Sequence, residues 1–135
     1  MYLKQHERDF MTSDRPALSK SELEIARILW ALKNATVREV FEEASELREI
    51  DFATVQTYLR RLEKKGYAKA KLDGRVRVYS PRVKPQTVIR ETIGDLVDRL
   101  FGGEAMPLMQ HLIGERDLSD DDIAKLRELL DKAEE

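Results

Sequence analysis

The sequence predicts a mainly α-helical chain carrying one small β-hairpin. Three observations predict it: apolar residues at helical spacing over residues 19–66, strict alternation over residues 67–79, and helical spacing again from residue 86 to the end. A chain of 135 residues suits one ordinary domain, or a small domain with an arm too thin to bury a core alone, so oligomerisation is expected.

Residues 1–15 have no periodicity and read as a mobile tail, with Leu3 and Phe10 as the residues expected to order part of it. At Leu18-Ser19-Lys20-Ser21-Glu22-Leu23 a capping box opens the first helix, with Ser19 as N-cap, Glu22 three residues on, and Leu18 stapling to Leu23. Leu23, Ile25, Ala26, Ile28, Leu29, Trp30 and Leu32 then form a wide apolar stripe that ends near Lys33-Asn34. A second box, Thr36-Val37-Arg38-Glu39, opens a short amphipathic helix carrying Val37, Val40, Phe41 and Ala44. After the polar stretch from Ser45 to Ile50, Asp51 caps a third helix that buries Val55, Tyr58, Leu59 and Leu62 and stops at Gly66.

From Tyr67 the period changes. Ala68, Ala70 and Leu72 alternate with Lys69 and Lys71; Val76 and Val78 alternate with Arg75, Arg77 and Tyr79; Asp73-Gly74 between them is a hairpin turn signal. Three helices followed by a basic two-stranded ribbon are the order of a winged helix-turn-helix, here over residues 16–82, with Pro81 and Pro85 bracketing the exit from the wing.

Beyond Pro85 the pairs Val88/Ile89, Thr92/Ile93, Leu96/Val97 and Leu100/Phe101 recur every four residues as a broad stripe on a helix with no core of its own to join. Gly102-Gly103 breaks that helix, Pro107 starts a short one through Ile113, and Ser119 with Asp120, Asp121 and Asp122 caps a last helix bearing Ile123, Leu126, Leu129 and Leu130. Residues 83–135 are thus expected to form a helical dimerisation arm, its seam built from Ile89, Ile93, Leu96, Val97, Leu100, Phe101, Ile123, Leu126 and Leu130. The alternative is that the arm packs back on its own winged domain.

The net charge of −2 hides a segregation. Residues 52–82 carry nine basic side chains against two acidic ones, a net of +7, whereas residues 83–135 carry seven against thirteen, a net of −6. A phosphate-facing region joined to one that avoids phosphate explains the split; a merely solvated charged face is the other reading. In a helix-turn-helix the second helix of the motif enters the major groove. On the helix from Asp51 to Lys65 the base-reading candidates are Ala53, Thr54, Gln56, Thr57 and Arg60, with Gln56 foremost because its amide can bridge adenine N6 and N7. The phosphate candidates are Arg61, Lys64, Lys65, Lys69, Lys71, Arg75 and Arg77. Arg75 and Arg77 are read as sharing one strand face while Val76 and Val78 turn inward.

Other chemistry is excluded. There are no cysteines, no Gly-rich phosphate loop, no metal-ligand spacing and no nucleophile motif, and the imidazoles are limited to His6 and His111. An enzyme is not expected, nor a cofactor or a metal. No apolar run approaches the roughly 18 residues of a membrane span and the first fourteen residues are polar, so a cytoplasmic protein without membrane insertion is expected. A winged helix that docks proteins without binding DNA is the alternative to a DNA reader.

The stretches Leu18-Ser-Lys-Ser-Glu-Leu-Glu-Ile to Ile28-Leu29-Trp30, Thr54-Val-Gln-Thr-Tyr-Leu-Arg-Arg-Leu-Glu-Lys-Lys-Gly66, Tyr79-Ser80-Pro81, Leu100-Phe101-Gly102-Gly103 and Leu118-Ser119 resemble, in order and spacing, the penicillinase-repressor (BlaI/MecI) family over about residues 17–133. The resemblance implies a repressor bound as a homodimer to a palindromic double-stranded operator with TACA/TGTA half-sites, controlling β-lactamase or related stress genes. It also implies release through a membrane sensor protease system that triggers cleavage at an Asn-Phe bond of the arm, a bond that maps here onto His111 and Leu112. The cysteine cluster of the copper-responsive branch has no counterpart in this chain.

Overall fold

The computed structural model describes residues 15–135, so Leu3, Phe10 and His6 lie outside the described residues. The elements run α1 (Lys20–Leu32), β1 (Ala35–Thr36), α2 (Val37–Leu47), α3 (Phe52–Lys65), β2 (Ala68–Asp73), β3 (Val76–Pro81), α4 (Pro85–Leu100), α5 (Ala105–Glu115) and α6 (Asp120–Glu134). The chain divides into two compact units between Glu91 and Thr92.

In the first unit both expected capping boxes form. Ser19 Oγ accepts from the Glu22 N–H while Glu22 Oε1 accepts from the Ser19 N–H, and Thr36 and Glu39 repeat the exchange at the start of α2. α1 ends at Lys33, which takes a positive φ of 72°. α2 runs on to Leu47, further than its apolar stripe suggests, with Leu47 left exposed. Asp51 occupies the N-cap position of α3 but makes no side-chain capping bond, and Gly66 closes that helix in the left-handed region at φ 90°.

Ile25, Leu29, Val40, Val55, Leu59, Leu62 and Tyr79 are fully buried and knit α1, α2, α3 and the sheet into one core. Leu23 departs from its place in the predicted stripe: it is exposed, because the buried face of α1 is set by Glu22, Ile25, Ala26, Ile28 and Leu29. The core reaches past the wing. Trp30 Nε1 donates to the Val83 carbonyl (3.0 Å) and Val88 is buried, so the first unit extends into the opening turns of α4, beyond a boundary at residue 82.

The sheet has three strands rather than two. β1 pairs antiparallel with β3 (Ala35 opposite Tyr79, Thr36 opposite Val78), giving the order β1-β3-β2. β2 and β3 pair from Ala68 opposite Pro81 out to Asp73 opposite Val76, which leaves Gly74 and Arg75 as the two-residue turn. Gly74 supplies the positive φ, 67°, that the first central position of such a turn requires.

The second unit holds the rest of α4 with α5 and α6. The glycines at the break, Gly102 and Gly103, take φ 62° and 87°. α5 begins at Ala105, ahead of Pro107, and runs to Glu115; a proline in the first turn is tolerated because the N–H it lacks has no intrahelical partner there. Ser119 and Asp122 form a third capping box at the head of α6. Among the described residues none beyond Val88 is a buried apolar one. Ile89, Ile93, Leu96, Leu100, Ile123 and Leu130 are exposed, and Val97, Phe101 and Leu126 are half-buried.

Candidate nucleic-acid interface

α3 is held by Val55, Leu59 and Leu62, three residues at helical spacing with 1% exposure or less. That anchoring turns the opposite side outward, so Ala53, Thr57, Arg60 and Lys64 form one exposed stripe along the helix. Phe52, the first helical residue, meets Phe41 of α2 edge to face, with ring centroids 5.6 Å apart at 68°. The start of α3 is therefore fixed on α2 without a side-chain cap at Asp51. Thr57 Oγ1 donates to the Ala53 carbonyl (3.0 Å), so its hydroxyl keeps only acceptor capacity for a ligand. Arg61 lies over the Tyr58 ring at 5.7 Å, on the flank that also carries the half-buried Thr54.

The wing corrects one reading of the sequence. Alternation with valine as the inward residue points Val76 and Val78 to the core, yet Val76 is 50% exposed, Val78 is half-buried, and Tyr79 is fully buried. Seating the large aromatic ring fixes the phase of β3, and a shift of one residue exchanges the two faces of a strand. Arg77 consequently shares the face of Tyr79, Ala70 and Leu72, which looks toward α3, and its Nη1 donates to Glu63 Oε1 on that helix (3.4 Å). Arg75 sits in the turn rather than on the strand. Gln56, Arg60, Arg75 and Arg77 together line one groove between α3 and the wing.

The same phase separates Lys69 and Lys71 from that groove. They stand opposite Ser80 and Val78 on the other face of the sheet, where they line a surface depression with Lys33 and Asn34. Lys65 is engaged within the fold. Its ammonium donates to Glu22 Oε1 (2.6 Å) and to the Ala17 carbonyl (3.0 Å), tying the end of α3 to the start of α1. Glu22 is only 2% exposed. Burial by itself raises its carboxyl pKa, but the Lys65 hydrogen bond, the Ser19 N–H, the Lys65 charge and the Ser19 hydroxyl together hold it below the ordinary value of 4.5.

Arg15, counted with the tail by sequence, is part of this scaffold. Its Nη2 donates to both carboxylate oxygens of Glu91 (2.6 and 2.8 Å), and its guanidinium lies 5.6 Å from the Tyr67 ring centroid. The Tyr67 hydroxyl donates to the Pro16 carbonyl (2.8 Å), and burial raises its pKa. In the second unit, His111 and Leu112 lie inside α5, both exposed. Among the described residues there is no group of three or more carboxylate or imidazole side chains placed to hold a metal, and no helix is long and apolar enough to cross a membrane.

Sequence reasoning missed Arg38. It belongs to α2, outside the basic window, and had been absorbed into the capping box; the structure puts it on the rim of the same groove as Gln56.

The comparisons with known proteins agree with this architecture. The family described as "Penicillinase repressor" matches residues 18–132. The chain is similar to the methicillin resistance regulatory protein MecI of Mammaliicoccus sciuri, 29% identical over 115 residues that cover 85% of this chain and 94% of that protein. It is also similar to the penicillinase repressor of Bacillus licheniformis, 28% identical over 117 residues, or 87% and 91% of the two chains. Among solved structures, the DNA binding domain of the repressor BlaI in solution superposes with a TM-score of 0.50 at 34% identity, covering 54% of this chain and 89% of that one. The three helices, the wing and the match over most of the chain lead to one conclusion: this protein belongs to the penicillinase repressor family and is a winged-helix transcriptional repressor.

Proposed function

We propose that this repressor acts as a homodimer on a two-fold symmetric operator, each subunit laying α3 in a major groove and its wing against the adjoining backbone. The observation that carries the reading is the shared groove, where the amide of Gln56 stands beside Arg60, Arg75 and Arg77. A bidentate amide suits a base edge, and guanidinium groups suit phosphate oxygens. In this reading Gln56, Ala53, Thr54, Thr57 and Arg60 read bases, while Arg61, Lys64, Arg75 and Arg77 hold phosphates, with Lys69 and Lys71 reaching only DNA that passes the outer face of the wing.

Residues 83–135 supply the dimer. A 44-residue unit, 92–135, that buries no apolar side chain of its own has an unmet need for a partner, and two copies give the two reading heads that a palindrome requires. The relatives' names, penicillinase repressor and methicillin resistance regulatory protein, support β-lactamase or related genes as targets, and action in the cytoplasm is part of the same proposal. Induction through a membrane sensor protease would have to open the chain at His111-Leu112, which lies within a helix, so α5 must unwind locally before cleavage. A blot of protein from induced cells tests this: a shortened chain supports proteolytic release, and a full-length one refutes it.

The test of the whole reading is a gel-shift titration on a short palindrome of TACA/TGTA half-sites against a scrambled duplex, at about 150 mM salt where nonspecific binding is weak. A preference of about 1,000-fold is the expected result. Equal weak binding to both duplexes would refute recognition of this operator.

A further inference from the structure

We infer that Arg38 is a phosphate-contacting residue, held ready by Phe52, that carries the DNA interface from α3 and the wing onto α2. The inference rests on the DNA-reading function proposed above and adds a residue and an element to it. Arg38 is exposed, with its guanidinium carbon 5.6 Å from the centroid of the Phe52 ring. Phe52 is itself held edge to face by Phe41 at 5.6 Å, so the arginine rests beside an anchored ring rather than ranging freely. Among the described residues no carboxylate forms an ion pair with it, whereas Arg77 in the same groove is drawn to Glu63. The groove that Arg38 borders contains Gln56 and Arg60 on α3 and Arg75 in the wing turn.

Two physical points convert this placement into a role. A helix in the major groove has phosphates on either side of it, and in helix-turn-helix proteins the helix preceding the recognition helix is the one that crosses the backbone. α2 is that helix here. A guanidinium held within cation–π range of an aromatic ring keeps its N–H donors free for a phosphate, and it has less rotamer freedom to lose when it takes one. Arg38, like Arg60 and Arg75 in the same groove, has no carboxylate partner among the described residues, so its full counterion-release contribution is available to DNA.

The experiment is the dependence of duplex affinity on salt concentration, measured by fluorescence anisotropy with the full chain for the wild type, Arg38→Gln, Arg38→Lys and Phe52→Leu. A nonspecific duplex serves as well as an operator, because the slope counts neutralised phosphates and not sequence. Arg38→Gln should lower the slope of log K against log salt by about 0.9 and weaken operator and nonspecific DNA alike. Arg38→Lys should restore the slope, and Phe52→Leu should leave it unchanged while lowering affinity a few-fold through lost pre-positioning. An unchanged slope in Arg38→Gln, with near-ultraviolet and far-ultraviolet spectra like the wild type, overturns the inference while leaving the DNA reading intact. If the wild type shows no salt-dependent binding to any duplex, the DNA reading itself falls and the role of Arg38 falls with it.

Discussion

Lys64 and Lys65 are neighbours with the same charge at the same helix end, and the structure predicts that replacing them does opposite things. Lys65→Ala removes what is, among the described residues, the only ion-pair partner of a carboxylate that is 2% exposed, and Glu22 keeps its Ser19 bonds. Breaking a buried pair from one side costs about 3–5 kcal/mol. The Lys65 side chain is 26% exposed, so water entering its place recovers part of that, and about 2–3 kcal/mol is the expected loss. In a unit of this size each kcal/mol shifts Tm by about 4–8 °C, so Lys65→Ala should melt roughly 10–20 °C below the wild type. Lys64→Ala should melt within about 0.5 kcal/mol of wild type but lower the DNA salt slope. The assay is thermal unfolding followed by Trp30 fluorescence at fixed chain concentration, beside the salt titration. The pH dependence carries a second sign. The Glu22 carboxyl is held below 4.5 in the folded state, so its stabilisation is fully present above that pH and is lost as pH falls through the depressed value. Wild-type Tm should therefore fall on acidification below about pH 4.5, and Glu22→Gln should show a smaller fall. If Lys65→Ala melts like the wild type while its salt slope drops by about one, Lys65 is a phosphate ligand after all and the scaffold role is wrong.

Gln56→Ala should weaken operator binding by roughly 1–3 kcal/mol and spare nonspecific DNA, whereas Arg77→Ala should weaken both and flatten the salt slope; equal losses on the two duplexes for Gln56→Ala would remove it from base reading. Leu96→Asp puts a charge on the exposed stripe of α4 and should give monomers in sedimentation that bind the operator poorly, so a variant that still sediments as a dimer places the interface elsewhere.

What was legible in the sequence is what local chemistry decides. The boxes at Ser19 and Thr36 each need two residues three apart and form as read, and Ser119 caps its helix as read, with Asp122 completing a box there that the sequence reading leaves unnamed. Gly66 and Gly102-Gly103 end helices because only glycine takes those positive φ values at little cost. Two departures are local, the Asp51 position that makes no side-chain cap and the start of α5 at Ala105 rather than Pro107, and the larger ones concern partners distant in the chain. Lys65 meets Glu22 across 43 residues, and nothing near either position announces it. β1 is too short to show a period and exists only because β3 lies beside it. Valine is the usual inward residue of a strand, but one buried tyrosine outweighed two valines and reversed the wing. Of the candidate interface, the helix was visible from its apolar anchors and the excess of positive charge from a count. Which cations share a groove with Gln56 was visible only in three dimensions.

Thr36 has a consequence for anyone who would treat the wing as a portable cassette. This one residue is paired with Val78 in the sheet and is also the N-cap of α2, exchanging two hydrogen bonds with Glu39. The ribbon and the helix that precedes the recognition helix are therefore splined at a joint with no spare residue between them. A wing transplanted from a relative will seat correctly only if it brings a tyrosine to stand opposite Ala35, and an insertion between Asn34 and Val37 should spoil the alignment of the reading head even though it lies in neither DNA-facing element.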